Sequence, residues 1–259
     1  MSLSNAIETL MARNLTKLGY PTGDIRWSLG YCQGDGSSFT GDLDLKVLGA
    51  RLCPEVSAEV WASIDCSLSL ERISSLRYVH ENSTRLNIDT ESVELTDACE
   101  YGGVAQKLAL HKLVGLLEED ILQAARKNTS DGYKLQEIYV QEEERVWSFQ
   151  TSSFLVELFK TRDEDATPFF EVDDPELLDL DIKEVIDGKV SIFGTKVLIS
   201  LLDEDEEPST VLVELCAWGH CHDSGDATHR GLRRELVSEA IRMAREAYQK
   251  LRRPLLKAA

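Results

Sequence analysis

Three groups of residues have the types and spacing that chemistry requires. The segment Trp27 to Phe39 contains Gln33-Gly34-Asp35-Gly36, and Asp42 and Asp44 follow close behind. Glycines flanking an aspartate let backbone N–H groups approach a ligand, with Gln33 adding an amide. Asp35, Asp42 and Asp44 together are of the type a hard divalent cation takes. The spacing departs from the EF-hand pattern, which needs alternate ligands and a closing glutamate, and from the Walker and dinucleotide fingerprints. The same residues equally suit a tight turn in which Asp35 accepts backbone hydrogen bonds while Gln33 and Ser37 brace it.

The second group is Cys216, His220, Cys221, His222 and His229, all of zinc-ligand type and including three of the five histidines. Along a strand His220 and His222 point the same way, so with His229 they define a site for zinc or another divalent cation. The alternative is a core cysteine at a strand end followed by loop histidines. No second ligand pair stands at finger spacing. Cys32 with His80 or His111 is a nucleophile and base in type, and His80, Glu81, Arg77 and Asp35 are phosphodiesterase-like in type. Neither arrangement has a recognisable spacing, so no catalytic residue is assigned and no cofactor is required.

The third group is acidic. Residues 163–187 hold eleven carboxylates against one lysine, and Asp203-Glu204-Asp205-Glu206-Glu207 is an unbroken run. The chain of 259 residues has a formal net charge of −18. Residues 230–259 carry nine Lys/Arg against three Asp/Glu, leaving −24 on residues 1–229. Such a surface repels phosphate, so direct nucleic-acid binding is not expected. It favours a basic protein partner, or it serves solubility alone.

Gln33-Gly34-Asp35-Gly36-Ser37-Ser38-Phe39-Thr40-Gly41, entered from an aromatic-rich strand, resembles a segment of small bacteriophage and prophage proteins. Val211 to Gly219, with Trp218-Gly219, is similar to phage proteins more weakly. The resemblance implies a mobile-element origin and a role in host takeover or anti-defence. It implies no activity.

Alternating apolar residues predict strands at about 25–32 and 39–49, joined by the Gln33–Gly36 turn. A helix is expected over 4–18, capped by Ser4 and ended by Gly19. Residues 56–66 fit either a strand or a short helix, and 75–81 and 84–95 read as strands. Leu110, Leu113, Val114, Leu117, Ile121 and Ala125 define a helix over 103–127. Asn128 to Gly132 then reads as a polar loop. Strands are expected at 133–140, 146–150, 154–159, 189–202 and 209–218, with 163–187 irregular and Asp203–Glu207 an exposed hairpin tip. A helix over 231–252 buries Leu236, Ala240, Met243, Ala244, Ala247 and Leu251, and its other face is basic.

The pattern is α+β, with antiparallel sheets each backed by a long helix. Two sub-domains are expected, 1–130 and 131–259. No run of about 18 apolar residues predicts a membrane span, and Met1 to Asn5 shows no basic-then-apolar leader. A cytoplasmic protein is therefore expected, its six cysteines reduced and mostly buried.

Three functional classes fit. The first is an acidic phage-type inhibitor of a host protein complex, an anti-defence protein or nucleic-acid mimic, binding through Gln33, Asp35, Asp203 to Glu207, Arg233 and Arg234. The second is a small metal-dependent hydrolase or nuclease using Asp35, Asp42, Asp44 and a histidine. The third is an assembly protein, with the terminal helix available for homodimerisation.

Overall fold

The structure, a computed structural model, describes residues 2–32, 34–64, 66–73, 79–80, 82–88, 103–223 and 230–258. The chain divides into two compact units, Ile7–Tyr133, and Met1–Ala6 with Lys134–Ala259.

The first unit contains most of α1 (Leu3–Leu18), then β1 (Asp24–Ser28), β2 (Gly36–Asp42), α2 (Leu45–Leu52), α3 (Ala58–Ala62), β3 (Leu68–Arg72) and β4 (Thr84–Ile88). It ends within α4 (Val104–Glu137). The four strands form one antiparallel sheet in sequence order. Ile7, Leu10, Met11 and Leu15 of α1 are buried, as their spacing requires. Ser2, rather than Ser4, faces the first turn, its Oγ accepting the Asn5 N–H at 3.4 Å. Gly19 ends the helix at φ 77°.

The strand expected over 39–49 divides in two. β2 stops at Asp42, and Asp44 caps α2, its carboxylate accepting the Lys46 and Val47 N–H groups. That cap captures two donors that a strand would have to satisfy elsewhere. Residues 56–66 resolve toward helix at α3, and β3 is a strand the alternation does not reveal. β4 covers the start of the 84–95 segment; the rest of it, and most of 75–81, lies outside the described residues.

The largest departure is at Asn128–Gly132. These residues continue α4 without a break. Asn14 of α1 donates to Asn128 Oδ1 at 3.1 Å and to Asp131 Oδ2 at 2.9 Å, and both acceptors are buried. Lys127 also pairs with Asp131. A Cβ on Gly132 would stand 2.7 Å from Leu29 Cδ1, so glycine admits a close neighbour rather than ending the helix. The composition of a loop is here the composition of a buried polar contact. The helix then runs on to Glu137, taking residues expected to begin a strand.

The second unit contains β5 (Glu144–Gln150), β6 (Phe154–Thr161), α5 (Pro175–Ile186), β7 (Val190–Leu202), β8 (Pro208–Asp223) and α6 (Arg230–Ala258). Its strands also pair antiparallel in sequence order. Ala240 and Ala244 of α6 are buried with Val156, Leu158, Val197, Ile199 and Val213 of the sheet. Leu251 falls off the expected stripe and is 53% exposed. Residues 163–187 are more regular than expected. Asp174 caps α5 by accepting the Glu176 and Leu177 N–H groups, and Pro175 occupies the first turn, where its missing donor costs nothing. The protein is therefore α+β, two antiparallel sheets backed by helices.

Replacing Asn14 by Ala leaves the Asn128 and Asp131 acceptors buried without that donor. The expected loss in unfolding free energy is about 2 kcal/mol, measured by urea denaturation; a change within about 0.5 kcal/mol, normal for a surface site, would contradict the buried contact.

Candidate functional site

Asp35 organises the tip of the first hairpin. β1 and β2 pair from Asp24 opposite Thr40 to Ser28 opposite Gly36, so the connection runs from Leu29 to Asp35 and is longer than the turn expected. Asp35 folds back into it. Its Oδ1 accepts the Gly30 N–H at 2.9 Å and the Cys32 thiol at 3.3 Å, and its Oδ2 accepts the Cys32 N–H at 2.7 Å and the Tyr133 hydroxyl. Burial opposes the charge, but these donors outweigh it and hold the carboxyl well below the usual carboxylate range.

Tyr133 links this loop to α4. Its hydroxyl also accepts the Tyr31 N–H at 3.0 Å, and burial followed by the Asp35 contact raises its pKa. Tyr31 is held at φ 54°, in the left-handed region that few aromatic residues occupy. The two tyrosine rings lie 4.3 Å apart, centroid to centroid, and Tyr31 is 73% exposed. An aromatic that the alternation assigns to a strand is thus presented to solvent on a braced loop. The signal for this is Gly30 together with Gly34-Asp35-Gly36, which asks for a wider turn than two central residues. Ser37 turns the other way, donating to the Ala125 carbonyl at 2.9 Å inside the core. Gln33 lies outside the described residues.

The predicted cation set does not assemble. Asp35 is filled by five donors, Ser28 Oγ at 3.4 Å being the fifth, Asp44 caps α2, and Asp42 ends β2. Among the described residues, no group of three or more His, Cys, Asp and Glu is placed to hold a metal ion. Cys32 gives its thiol hydrogen to Asp35, and the backbone N–H of His80 donates to Ser83 Oγ at 2.7 Å. Arg77, Glu81 and Cys99 lie outside the described residues. The other five cysteines are free thiols, and only Cys53 of them is buried.

His220 and His222 do share a side of β8. Both approach the Phe193 ring, at 5.5 and 6.3 Å. His220 Nε2 lies 3.0 Å from Thr195 Oγ1, and burial lowers the His220 pKa. His229 lies outside the described residues. Next to this pair, buried Asp163 accepts the Gly219 N–H at 2.6 Å and the Asp165 and Ala166 N–H groups at 3.2 Å each. It fixes the loop after β6 to the β7–β8 bulge.

The acidic run forms the tip of the β7–β8 hairpin. Asp203 Oδ1 accepts the Asp205 and Glu207 N–H groups at 3.0 Å each, and the Asp203 N–H donates to the Glu207 carbonyl at 3.0 Å. Glu206 takes the left-handed φ of 63° that closes the turn. All five residues are exposed, and among the described residues no ion pair reaches Glu204, Asp205, Glu206 or Glu207. Arg233 instead lies over the Trp147 ring at 5.6 Å, and Arg234 is exposed on α6. The buried part of the α6 stripe is covered by the chain's own sheet, so it is not a free dimer face. Among the described residues no helix is long and apolar enough to cross a membrane.

No family model, no curated protein and no solved structure matches this chain.

Asp35→Asn removes the charge that holds the loop. Protection of the Gly30 and Cys32 amides against hydrogen exchange is expected to fall about tenfold or more, the scale of a lost hydrogen bond to a charged group. In the wild type, the stabilisation from a depressed carboxyl is complete above its unfolded value near ~3.9 and is lost only as pH falls through the lower folded value. Wild-type protection therefore persists to about pH 4; loss of it between pH 5 and 6 would contradict the assigned role.

Proposed function

We propose that this chain is an acidic binding protein that modulates a partner through the tip of the β7–β8 hairpin. The observation that carries the reading is a rigid tip that leaves carboxylates over. Asp203 spends its side chain on closing the turn, and Glu204 to Glu207 stay exposed, with no cationic side chain paired to them among the described residues. A turn whose backbone is already closed loses little backbone freedom on binding, and its carboxylates speed the encounter with a surface of opposite sign.

The other acidic segment is less available. Asp163 is buried on three N–H groups, Asp174 caps α5, and Asp187 pairs with Lys189 at 2.9 Å. The tip is therefore the stronger binding element. The partner that fits it is a basic protein surface, such as one that itself handles nucleic acid. The likeness of residues 33–41 to phage segments supports a host complex in the cytoplasm as that partner, and an anti-defence role. Tyr31, exposed and braced, is a second contact element on the other unit.

A tagged protein incubated with bacterial lysate should retain a discrete partner at low salt and release it near about 0.5 M, where the screening length falls to a few ångströms. The variant Glu204→Gln, Asp205→Asn, Glu206→Gln, Glu207→Gln should associate with that partner about tenfold more slowly at low salt and keep the wild-type melting temperature. Equal association by the variant, or no partner at either salt, would overturn the reading.

A further inference from the structure

Where α6 crosses the β5–β8 sheet, its later turns leave a cavity of ≈ 400 Å³. Val156 and Ile199 lie on the sheet side, and Phe149, Phe154 and Tyr248 supply aromatic walls. Phe154 and Tyr248 meet edge to face at 5.5 Å, which fixes the wall's shape. Phe149 stacks on Trp147 at 6.4 Å and is 54% exposed, so an apolar face continues out of the cavity. Protein interiors normally fill such space with side chains. This one is in the size range of small-molecule pockets, about 300–1,000 Å³. At about 30 Å³ per small group, the share a water takes in the liquid, it holds roughly a dozen non-hydrogen atoms.

The polar groups on its lining are few. Thr151 is committed to its own turn, its Oγ1 accepting the Phe154 N–H at 3.0 Å. Arg245 is different. Its neighbours three and four positions away on the helix are Ile241, Arg242, Tyr248 and Gln249, with no carboxylate among them. Arg242, by contrast, takes both Glu239 and Glu246. Among the described residues no ion pair reaches Arg245. In a chain of net charge −18, an unpaired guanidinium at the mouth of an apolar cavity selects the charge of what enters.

We propose that this cavity binds a small amphiphilic carboxylate, with an apolar chain or ring against Val156, Ile199 and the aromatic walls and the carboxylate at Arg245. The apolar body supplies most of the affinity by leaving water, and the guanidinium supplies orientation and a preference for an anion. The site is separate from the acidic hairpin tip and does not depend on it.

Titration calorimetry of the full chain with octanoate, and with 1-octanol as its neutral counterpart, tests this. One equivalent of octanoate should bind, and 1-octanol more weakly. Arg245→Gln should weaken octanoate about three- to tenfold, the range for a partly exposed charged hydrogen bond, and leave 1-octanol unchanged. Arg245→Lys should recover part of the loss. Tyr248→Ala, at a partly exposed wall position the fold tolerates, should weaken both ligands. Absence of saturable one-to-one binding would overturn the site. Octanoate binding untouched by Arg245→Gln would overturn the anion assignment, and binding untouched by Tyr248→Ala would place the ligand elsewhere.

Discussion

A carboxylate or amide that leaves water must find donors inside the protein, and in the first unit that requirement fixes the neighbours of α4. At Asp120 the helix accepts the Tyr20 hydroxyl at 2.5 Å and both terminal nitrogens of Arg51, at 2.9 and 2.5 Å. One turn on, the Ala125 carbonyl receives Ser37 of β2. Asn128 and Asp131 then hold Asn14 of α1, and Tyr133 holds Asp35 and the Tyr31 backbone. Each contact ties a different piece of chain to the same helix. Removing one partner strands the other in a low-dielectric interior, which costs more than the bond itself is worth in water. The apolar stripe of Leu110, Leu113, Leu117 and Ile121 makes the unit collapse; the polar ladder sets which elements collapse onto it and in what order along the helix.

The Asp35 loop is the far end of that ladder. Its five donors come from the end of β1, from the loop itself and from α4, so the loop is held in part by the placement of the helix. This explains how an exposed tyrosine is kept at a left-handed φ, a conformation that strains most side chains with a Cβ. The strain is balanced by the Tyr133 contact below it, both through the hydroxyl and through the contact of the two tilted rings. A loop whose only task is to join two strands needs two residues and a glycine. This one spends seven residues, a hydrogen-bonded carboxylate and a strained aromatic to present a single ring outward.

Period and composition predict different things with different success. Alternation places β5, β6, β7 and the hairpin tip, and the helical stripe places α1, α4 and α6, because burial of one face is what those periods encode. Asn128 to Gly132 misleads for the opposite reason: polar residues and glycine mark a loop only when they face water, and here Asn14 supplies the interior partner. The start of β2, before Phe39, hides because Ser37 and Ser38 are buried there, so polar residues stand where the pattern expects apolar ones. Asp44 reads as a metal ligand or as a cap from type alone, and only the backbone direction after it decides for the cap. Long-range partners such as Tyr133 for Asp35, 98 positions apart, leave no local trace.

The charge of the chain is resolved unit by unit rather than averaged. Carboxylates that fold the protein point inward or sit at helix starts: Asp35, Asp120, Asp131 and Asp163 on hydrogen bonds, Asp44 and Asp174 on helix N-termini. Each is held by hydrogen-bond donors that commit it to the local structure. Those at Glu204 to Glu207 do no such work and repel one another at the end of a hairpin. The same uneven matching holds for the cations on α6, where Arg242 takes two carboxylates and Arg245 none among the described residues. Two places combine unmatched charge with a defined surface, the four carboxylates on the β7–β8 turn and Arg245 beside an apolar cavity. Surface charge so arranged acts on whatever approaches those two places and contributes little to holding the chain together.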